Sequence, residues 1–328
     1  MGSRSTVEGV YYAAVVAFIA VLFAGPIVIP LLRRLKVRQV IRSQGPARHQ
    51  VKAGTPTMGG VLFVTASLAA ALAFAPERPP RLWYLAALVA WFAALGFIDD
   101  YLKVVRRRSL GLRARSKVAG QVAAGLAFYL AVTCDGLPTA ITVPGLTPAW
   151  ELGPWYAALV VLVLMGAANA VNLTDGLDGL AAGSSVVALS FYLLVALARG
   201  QLELAVFAAA LAAALAAFLF YNAHPAQVIM GDVGSLAIGA ALGGVAILTK
   251  TELLLPIVGG LFVLEALSVI MQVAYFRLTG GRRLLRMSPL HHHFELSGWS
   301  EQRVVTAFWA LSVLFAALGL ISLRGFGG

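Results

Sequence analysis

The sequence predicts an all-α integral membrane protein with ten transmembrane helices, and three observations support this fold class. Of the 328 residues, 60% are hydrophobic and only 12% are charged, and the mean hydropathy is +0.86. A soluble domain of that composition could not cover its surface with polar groups. Ten apolar segments approach the roughly 20 residues that a bilayer crossing requires. The basic residues are concentrated in alternate loops between these segments, as is typical of cytoplasmic loops.

The ten predicted spans follow one another along the chain with short connections. In order they are Tyr11–Leu32, Met58–Ala75, Leu82–Ile98, Val118–Thr133, Trp155–Val171, Leu180–Ala198, Leu202–Tyr221, Val233–Thr249, Leu253–Phe276 and Val304–Leu323. The fourth and eighth are short and rich in Gly and Ala, which favours close packing between helices. The first is too long for the apolar core of a signal peptide and is expected to be retained. No connection is long enough for a separate soluble domain, so residues 1–328 are expected to form one transmembrane domain.

The distribution of basic residues predicts the orientation in the membrane. The loops at 33–52 and 103–117 contain seven Lys and Arg each and the loop at 277–303 contains five, which together make 19 of the 25. The positive-inside rule places these loops in the cytoplasm, so both termini are expected outside. The net charge of +11 would also suit a nucleic-acid-binding protein, but this distribution fits topology and contacts with lipid head groups instead. The single cysteine excludes an internal disulfide and a thiolate metal cluster.

Acidic residues at the cytoplasmic ends of the spans are the strongest functional signal, because topology does not require them there. Three separate loops each supply at least one, and this convergence indicates a functional site. The five are Asp99, Asp100, Asp175, Asp178 and Asp232.

The sequence FIDDYLK follows the third span. Asp99 and Lys103 are four residues apart and could form a surface ion pair at a helix end. Two adjacent carboxylates repel each other unless a cation is near, so a Mg²⁺ ion or a proton-accepting role explains Asp99 and Asp100 better.

The sequence NLTDGLDG lies between the fifth and sixth spans. Its glycines permit a tight turn close to a ligand, and the helix that starts there attracts anions at its N-terminus. Helix capping could account for Asp175 or Asp178, but not for both together with Asn172. Asp232 also stands at a helix entrance, between two nearby glycines, with capping as the alternative. Asn222 adds a polar group at the end of the seventh span.

Two further segments indicate phosphate or nucleotide binding. The consecutive His291, His292 and His293 could suggest a metal site, but neighbouring residues rarely direct three imidazoles at one ion. Hydrogen bonding to phosphate fits them better, since arginines lie nearby. In the first cytoplasmic loop, Lys52 and Thr57 precede the glycines that open the second span, an arrangement that suits a phosphate or a nucleotide edge.

The ninth span contains polar residues and helix breakers. Glu265 within a membrane helix indicates either a functional group or a hydrogen bond between helices, as does Gln272. Pro256 and the pair Gly259–Gly260 indicate an irregular helix, which predicts an apolar groove for a lipid tail along it.

Together these segments resemble the phospho-N-acetylmuramoyl-pentapeptide transferases, a family of bacterial integral membrane enzymes. The resemblance is collinear from about Gly25 to Trp309 and rests on HQVKAGTPTMGG, GFIDDYLK, NAVNLTDGLDGLAAG, AQVIMGDVGSLAIG and RMSPLHHHFELSGW. The acidic segments alone fit the wider superfamily of polyprenyl-phosphate hexosamine-1-phosphate transferases, and the histidine segment narrows the resemblance to the muramoyl branch. The family often has phenylalanine where this chain has Ile229, which affects the expected contact with uracil.

The resemblance implies the reaction of UDP-N-acetylmuramoyl-pentapeptide with undecaprenyl phosphate to give lipid I and UMP, with Mg²⁺. It also implies a homodimer in the bacterial cytoplasmic membrane that does not bind nucleic acid. By position in the motifs, it assigns catalytic roles to Asp99, Asp100, Asp175, Asp232 and His291, and the metal to Asp232. It assigns the nucleotide-sugar to Lys52, Thr57, Asn172, Asp175, Asp178, Asn222 and His291 to His293. We expect Lys103 and Lys117 to contact phosphate.

Three questions stay open at the level of sequence. Asp99 could activate the lipid phosphate for direct attack, or Asp175 could be a covalent nucleophile. The donor could be UDP-N-acetylglucosamine, as in a sibling transferase. A secondary transporter or channel is the alternative from another class, although transporters place their charges near the bilayer midplane rather than at span ends.

Overall fold

The computed structural model describes residues 2–34, 54–104, 106, 111–143 and 149–323, and most of them are helical. The helices are α1 (Gly2–Arg34), α2 (Gly60–Phe74), α3 (Pro80–Val104), α4 (Ala114–Cys134), α5 (Tyr156–Thr174), α6 (Leu180–Ala198), α7 (Leu202–Asn222), α8 (Gly231–Leu248), α9 (Leu255–Val258), α10 (Gly260–Leu278), α11 (Leu290–Leu296) and α12 (Glu301–Leu323). Two short strands, β1 (Ala140–Ile141) and β2 (Trp150–Glu151), pair antiparallel between α4 and α5.

The predicted class, an all-α integral membrane protein, is confirmed. Nine helices in the described part of the chain are long and apolar enough to cross a bilayer. Helix α2 has 15 residues and is therefore only roughly 22 Å long, less than the thickness of the hydrocarbon core. Nine of the ten predicted spans each coincide with one helix, and their boundaries differ by nine residues at the start of α1 and by six or fewer elsewhere.

The largest departure from the predicted spans is in the ninth, which was expected as one helix from Leu253 to Phe276. It consists of α9 and α10, which meet at Gly259. Pro256 stands in the first turn of α9, where its missing N–H is tolerated. The seven-residue helix α11 was not predicted, because its residues LHHHFEL show no long apolar period.

Helix α8 lies at the centre of the bundle, and every residue from Val233 to Leu248 is buried. It packs against α3, α5 and α2, while α1 and α6 pack against α7. A helix that is apolar on all sides suits such a buried position, and its small residues let neighbouring backbones come close. Because α8 starts beside the end of α3, the polar residues at these two helix termini meet.

A cluster of charged and polar side chains stabilises the C-terminal end of α8. The Lys250 ammonium lies 2.8 Å from the Glu252 carboxylate and donates a hydrogen bond of 2.8 Å to the Tyr156 hydroxyl. Burial of this ammonium lowers the pKa of Lys250, and the charge of Glu252 opposes that change. The cluster thus ties the turn after α8 to the start of α5.

Candidate active site at the helix ends

Three of the predicted aspartates form one cluster. Asp99 and Asp100 lie in the last two turns of α3, and Asp232 lies in the first turn of α8. One carboxylate oxygen from each lies within 4.8 Å of the others. Asp99 and Asp100 are 2% and 4% exposed. Buried carboxylates at this spacing repel one another strongly unless cations or donors compensate them.

Two lysines supply that compensation. Lys103 Nζ lies 2.5 Å from Asp99 Oδ2 and 3.2 Å from Asp232 Oδ2, one helical turn beyond Asp99. Lys117, in the first turn of α4, lies 2.7 Å from Asp232 Oδ2 and 4.0 Å from Asp99. The Leu112 amide donates to Asp99 Oδ1 at 2.7 Å. The predicted pairing of Asp99 with Lys103 is therefore present, within a larger network that a surface ion pair does not explain.

Asn172, at the end of α5, contacts Asp232 directly. Its Nδ2 donates to Asp232 Oδ1 at 2.9 Å and lies 2.8 Å from Ser235 Oγ. Ser235 is one turn beyond Asp232 on α8 and also donates to the Gly231 carbonyl. The structure thus places this asparagine where it orients the Asp232 carboxylate.

Gly231 is the point at which three segments of the site meet. Its φ is +70°, and a Cβ there would lie 2.4 Å from Asp100 Oδ2 and 2.8 Å from Thr57 Oγ1. Only glycine combines this backbone angle with such close neighbours. Backbone hydrogen bonds from Gly59 to Ile229 and from Gly60 to the Met230 carbonyl, each 2.9 Å, hold the two segments together. Thr57 is thereby brought to Asp100.

The two carboxylates of the turn from Asp175 to Asp178 have different environments. Asp178 Oδ2 accepts from the Ala226 amide at 3.0 Å and lies 3.1 Å from His224 Nδ1. Its own amide donates to Glu301 Oε1 at 2.8 Å. Asp178, His224 and Glu301 form a second group with metal-ligand spacing. Asp175 ends α5 and is partly exposed.

Asn222 joins this turn to the segment before α8. Its Oδ1 accepts from the Gly179 amide at 3.2 Å, and its Nδ2 donates to the Val228 carbonyl at 3.0 Å. Asn222 is 2% exposed. Its side chain therefore holds together the turn and the strand-like segment that contains Ile229.

The three histidines have different environments in and around α11. His291 is fully buried and its Nδ1 lies 3.1 Å from Glu265 Oε1. His292 Nδ1 lies 2.9 Å from Glu295 Oε2, and His293 Nδ1 accepts from the Arg286 amide at 3.2 Å. The three rings thus have separate partners, which disfavours a common metal ion, as predicted from their adjacency.

The structure adds residues that sequence reasoning missed. Ser235 contacts Asn172, and Glu301 accepts from the Asp178 amide. The sequence signal for Ser235 is its i, i+3 spacing from Asp232. The signal for Glu301 is an acidic residue in the first turn of α12. Glu265, for which two roles were open, accepts hydrogen bonds from the start of α11. Gln272 similarly accepts from the Leu284 and Leu285 amides. Lys52 lies outside the described residues.

The chemistry of the acidic cluster fits Mg²⁺. Asp99, Asp100 and Asp232 provide hard oxygen donors that converge from two helices, and Mg²⁺ prefers one or two carboxylates together with phosphate oxygens. The adjacent Lys103 and Lys117 suit a phosphate group beside such a site.

Comparisons with known proteins agree with this geometry. The glycosyl transferase family 4 model matches residues 82–250, just over half of the chain and all of the acidic cluster. The fold and the match define a membrane-bound glycosyl transferase of that family. Residues 52–64 also match signature 1 of the phospho-N-acetylmuramoyl-pentapeptide-transferases.

Full-length relatives identify the branch. The chain is 54% identical over 308 residues to the phospho-N-acetylmuramoyl-pentapeptide-transferase of Moorella thermoacetica, covering 93% of this chain and 96% of the relative. Identity to the enzyme of that name from Symbiobacterium thermophilum is 53% over 319 residues, covering 95% of each chain. For that of Shouchella clausii it is 49% over 312 residues, covering 94% and 96%. The chain belongs to the phospho-N-acetylmuramoyl-pentapeptide-transferase family, as the sequence motifs predicted.

Proposed function

We propose that this protein transfers phospho-N-acetylmuramoyl-pentapeptide from its UDP donor to undecaprenyl phosphate, with UMP and lipid I as products. The observation that carries the proposal is the convergence of Asp99, Asp100 and Asp232 with Lys103 and Lys117 at one end of a membrane-embedded bundle. Donor and acceptor both carry phosphate groups. The site therefore needs cations that neutralise the phosphate charge and acids that hold a metal ion or accept a proton. Family membership selects the muramoyl donor over UDP-N-acetylglucosamine.

The reaction joins two anions, so the site must position them and neutralise their charge. An oxygen of the lipid phosphate forms a bond to the sugar-bearing phosphorus of the donor. The bond from that phosphorus to the bridging oxygen breaks, and its electron pair leaves with UMP. Lys103 and Lys117 stabilise the charge that develops on the phosphates. Asp99, fixed by Lys103 and by the Leu112 amide, orients the attacking phosphate or accepts its proton.

Mg²⁺ is the proposed cofactor, held by Asp232 with Asp99 and Asp100 beside it. When bound, it would neutralise and polarise the donor diphosphate. Asn172 orients Asp232 for this task through its hydrogen bond of 2.9 Å.

The nucleotide-sugar is proposed to lie between the turn at Asp175 and the first cytoplasmic loop. Our proposed contacts for it are Lys52, Thr57, Asn172, Asp175, Asp178, Asn222 and His291 to His293. Support comes from Asn222, which joins the turn to the segment around Ile229, and from His291, which lies against Gly176. An aliphatic Ile229 would contact uracil by its side chain edge rather than by aromatic stacking.

The lipid tail is proposed to lie in the apolar groove expected beside the ninth span. A cavity of about 370 Å³ opens between α5 and the α9–α10 pair. Leu159 and Val163 line one side, and Pro256, Phe262 and Ala266 line the other. Apolar walls at this depth suit a polyprenyl chain.

We further propose the complete topology and setting: ten crossings, both termini outside, and the cleft facing the cytoplasm. Asp99 and Asn172 lie near the ends of odd-numbered spans, and Lys117 and Asp232 lie near the starts of even-numbered ones. An up-and-down bundle brings these ends to one side of the membrane, and the four side chains meet there. One hydrophobic cluster extends from Ala13 to Phe262, which supports a single domain over residues 1–328. As the resemblance implies, the protein would be a homodimer in the bacterial cytoplasmic membrane, in contact with its lipids and not with nucleic acid.

Release of UMP by the purified protein tests the proposed function. We expect release only when UDP-N-acetylmuramoyl-pentapeptide, undecaprenyl phosphate and Mg²⁺ are all present. Turnover of UDP-N-acetylglucosamine instead would identify the sibling transferase. Ion or solute flux in liposomes without UMP release would identify a transporter.

Rapid-quench measurements without the lipid acceptor separate the two routes. Direct attack predicts no UMP in the first turnover. A burst of UMP equal to the enzyme concentration would show a covalent intermediate, with Asp175 as the proposed nucleophile.

A further inference from the structure

Glu265 is a fully buried carboxylate in the membrane helix α10, and it faces the start of α11. Its Oε2 accepts from the Leu290 amide at 2.8 Å, and its Oε1 accepts from the His291 amide at 3.2 Å. Oε1 also lies 3.1 Å from His291 Nδ1. One side chain in the membrane thus holds both the backbone and the ring of the first histidine.

These contacts indicate which ring nitrogen of His291 carries a proton. Backbone amides can only donate, so both oxygens of Glu265 act as acceptors. Since Oε1 accepts from the His291 amide, a proton on His291 Nδ1 completes the set of donors around this carboxyl group. We therefore assign the Nδ1–H tautomer, in which Nε2 has a lone pair.

The Nε2 atom of His291 points to the turn at Asp175. It is buried, and it has no hydrogen-bond partner among the described residues. A Cβ added at Gly176 would lie only 2.2 Å from it. Unpaired buried polar atoms are rare in native structures, and this one lies where the histidine segment meets the proposed nucleotide-sugar turn.

The neighbouring histidines are held differently. His292 pairs with Glu295 within α11, and His293 accepts from the Arg286 amide in the preceding loop. The ring of His291 contacts the membrane helix α10, whereas the ring contacts described for His292 and His293 are within α11 and with the preceding loop. This singles out His291 among the three.

We propose that Glu265 is a positioning residue for the transferase. It keeps the proton of His291 on Nδ1 and holds Nε2 beside the Asp175 turn, as the atom that accepts a hydrogen bond from the bound donor substrate. This inference rests on the proposed function for its catalytic consequence. The protonation of the ring is independent of the reaction and can be measured separately.

The ring protonation is tested by ¹⁵N NMR of the full chain in detergent micelles with ¹⁵N-labelled histidine. The His291 signals are assigned by their loss in His291→Gln. We expect the Nδ1–H form in the wild-type protein and the Nε2–H form in Glu265→Gln, whose amide NH₂ would donate to Nδ1. An Nε2–H form in the wild-type protein would overturn the proposal, and so would an unchanged form in Glu265→Gln.

Kinetics test the positioning role. For Glu265→Gln we expect kcat to fall about 10- to 100-fold, as for other residues that orient a functional histidine, and KM for the UDP donor to change by less than about threefold. Glu265→Asp keeps a carboxyl group and should retain a higher kcat than Glu265→Gln. The opposite order of these two variants would contradict the proposal.

Gln272→Ala is the matched control, since Gln272 anchors the same loop through the Leu284 and Leu285 amides and does not contact a histidine. It should keep the Nδ1–H form of His291. Equal changes in kcat and KM for Gln272→Ala and Glu265→Gln would show that Glu265 is a loop anchor only. If Glu265→Gln does not fold, the wild-type NMR spectrum still decides the proton position. Failure of the wild-type protein to release UMP would overturn the proposed function. The NMR spectrum would still test which ring nitrogen of His291 carries the proton.

Discussion

Asp232 is the residue on which most contacts of the site converge. Lys103, Lys117 and Asn172 all approach its carboxylate within 3.2 Å. A carboxylate that receives two ammonium groups and an amide is held in one orientation and remains ionised. These features suit a residue that must keep one position while charge moves in its neighbourhood.

We expect Asp232→Asn to lower kcat about 100-fold or more, because it removes a charge that the site needs beside the phosphates. Steady-state UMP release over a range of Mg²⁺ concentrations measures the effect, and the remaining activity should require more Mg²⁺. Asp135→Asn is the matched control, since Asp135 pairs with Arg81 at 3.1 Å away from the cluster. Near-normal turnover and metal dependence in Asp232→Asn would rule out the metal assignment.

Asn172 donates a hydrogen bond to Asp232 and so orients its carboxylate, in addition to its proposed contact with the nucleotide-sugar. Removing a hydrogen bond to a charged group costs about 1.5–3 kcal/mol, so Asn172→Ala should lower kcat by about 10- to 100-fold. Asn169→Ala is the control on the same helix, because Asn169 donates to Gln121 at 2.9 Å instead. Equal losses in both variants, measured by UMP release, would mean that disturbance of α5 rather than orientation of Asp232 causes the effect.

At the residue scale, the sequence predicted that acidic side chains would meet, but it predicted few of their individual partners. Asp99, Asp100 and Asp232 were expected together and form one cluster. The link from Asn172 to Asp232 spans 60 residues of chain, and no local pattern encodes such a distance. The same holds for Glu265, which could be recognised as an unusual acid but not as the partner of His291.

At the scale of elements, close approach of helices sets the geometry of the site. Helix α8 has glycine where it crosses α5, and a Cβ at Gly239 would lie 2.3 Å from Ala168 Cα. This contact brings the end of α5, with Asn172, to the start of α8, with Asp232. Hydropathy predicted both helices because their composition is apolar, but it could not predict which helix α8 would cross.

We expect Gly239→Ala to destabilise the protein by about 1–3 kcal/mol, since overpacking forces the two backbones apart. The midpoint of thermal unfolding in detergent should fall. Gly166→Ala is the matched control, because Gly166 faces the cavity between α5 and the α9–α10 pair and nothing lies within 4 Å of an added Cβ. This variant should unfold at the same temperature or slightly higher, because alanine favours helix. A midpoint for Gly239→Ala equal to that of the control would contradict the close packing.

The elements that were predicted poorly are short or interrupted. Helix α11 has seven residues and is held by Glu265 from another helix, so local periodicity does not indicate it. The break at Gly259 was indicated by its glycine and by Pro256, but its exact position depends on packing against α12, where Phe315 contacts Gly260. In both cases tertiary contacts, rather than local propensity, set the boundaries.

For the whole molecule, the distribution of charge and the position of the site lead to the same orientation. One of the three loops rich in Lys and Arg, at 103–117, supplies both Lys103 and Lys117 to the acidic cluster. The opposite end has few cations, among them Lys250 and Arg81, and both are paired with carboxylates. The orientation that gives a cytoplasmic nucleotide donor access to the site also places the weakly charged end of the bundle outside.

This orientation predicts that Cys134, the single cysteine, lies on the outer side of the membrane. It ends α4 and is exposed, one helix length away from Lys117. A membrane-impermeant maleimide should therefore label it in intact spheroplasts and not in sealed inside-out vesicles. A Cys134→Ser, Ser300→Cys variant is the control, because Ser300 precedes α12 at the end that contains the site, and its labelling should be reversed. Labelling of Cys134 only from the inside would invert the whole topology and place the acidic cluster on the outer surface, where a cytoplasmic UDP donor could not reach it.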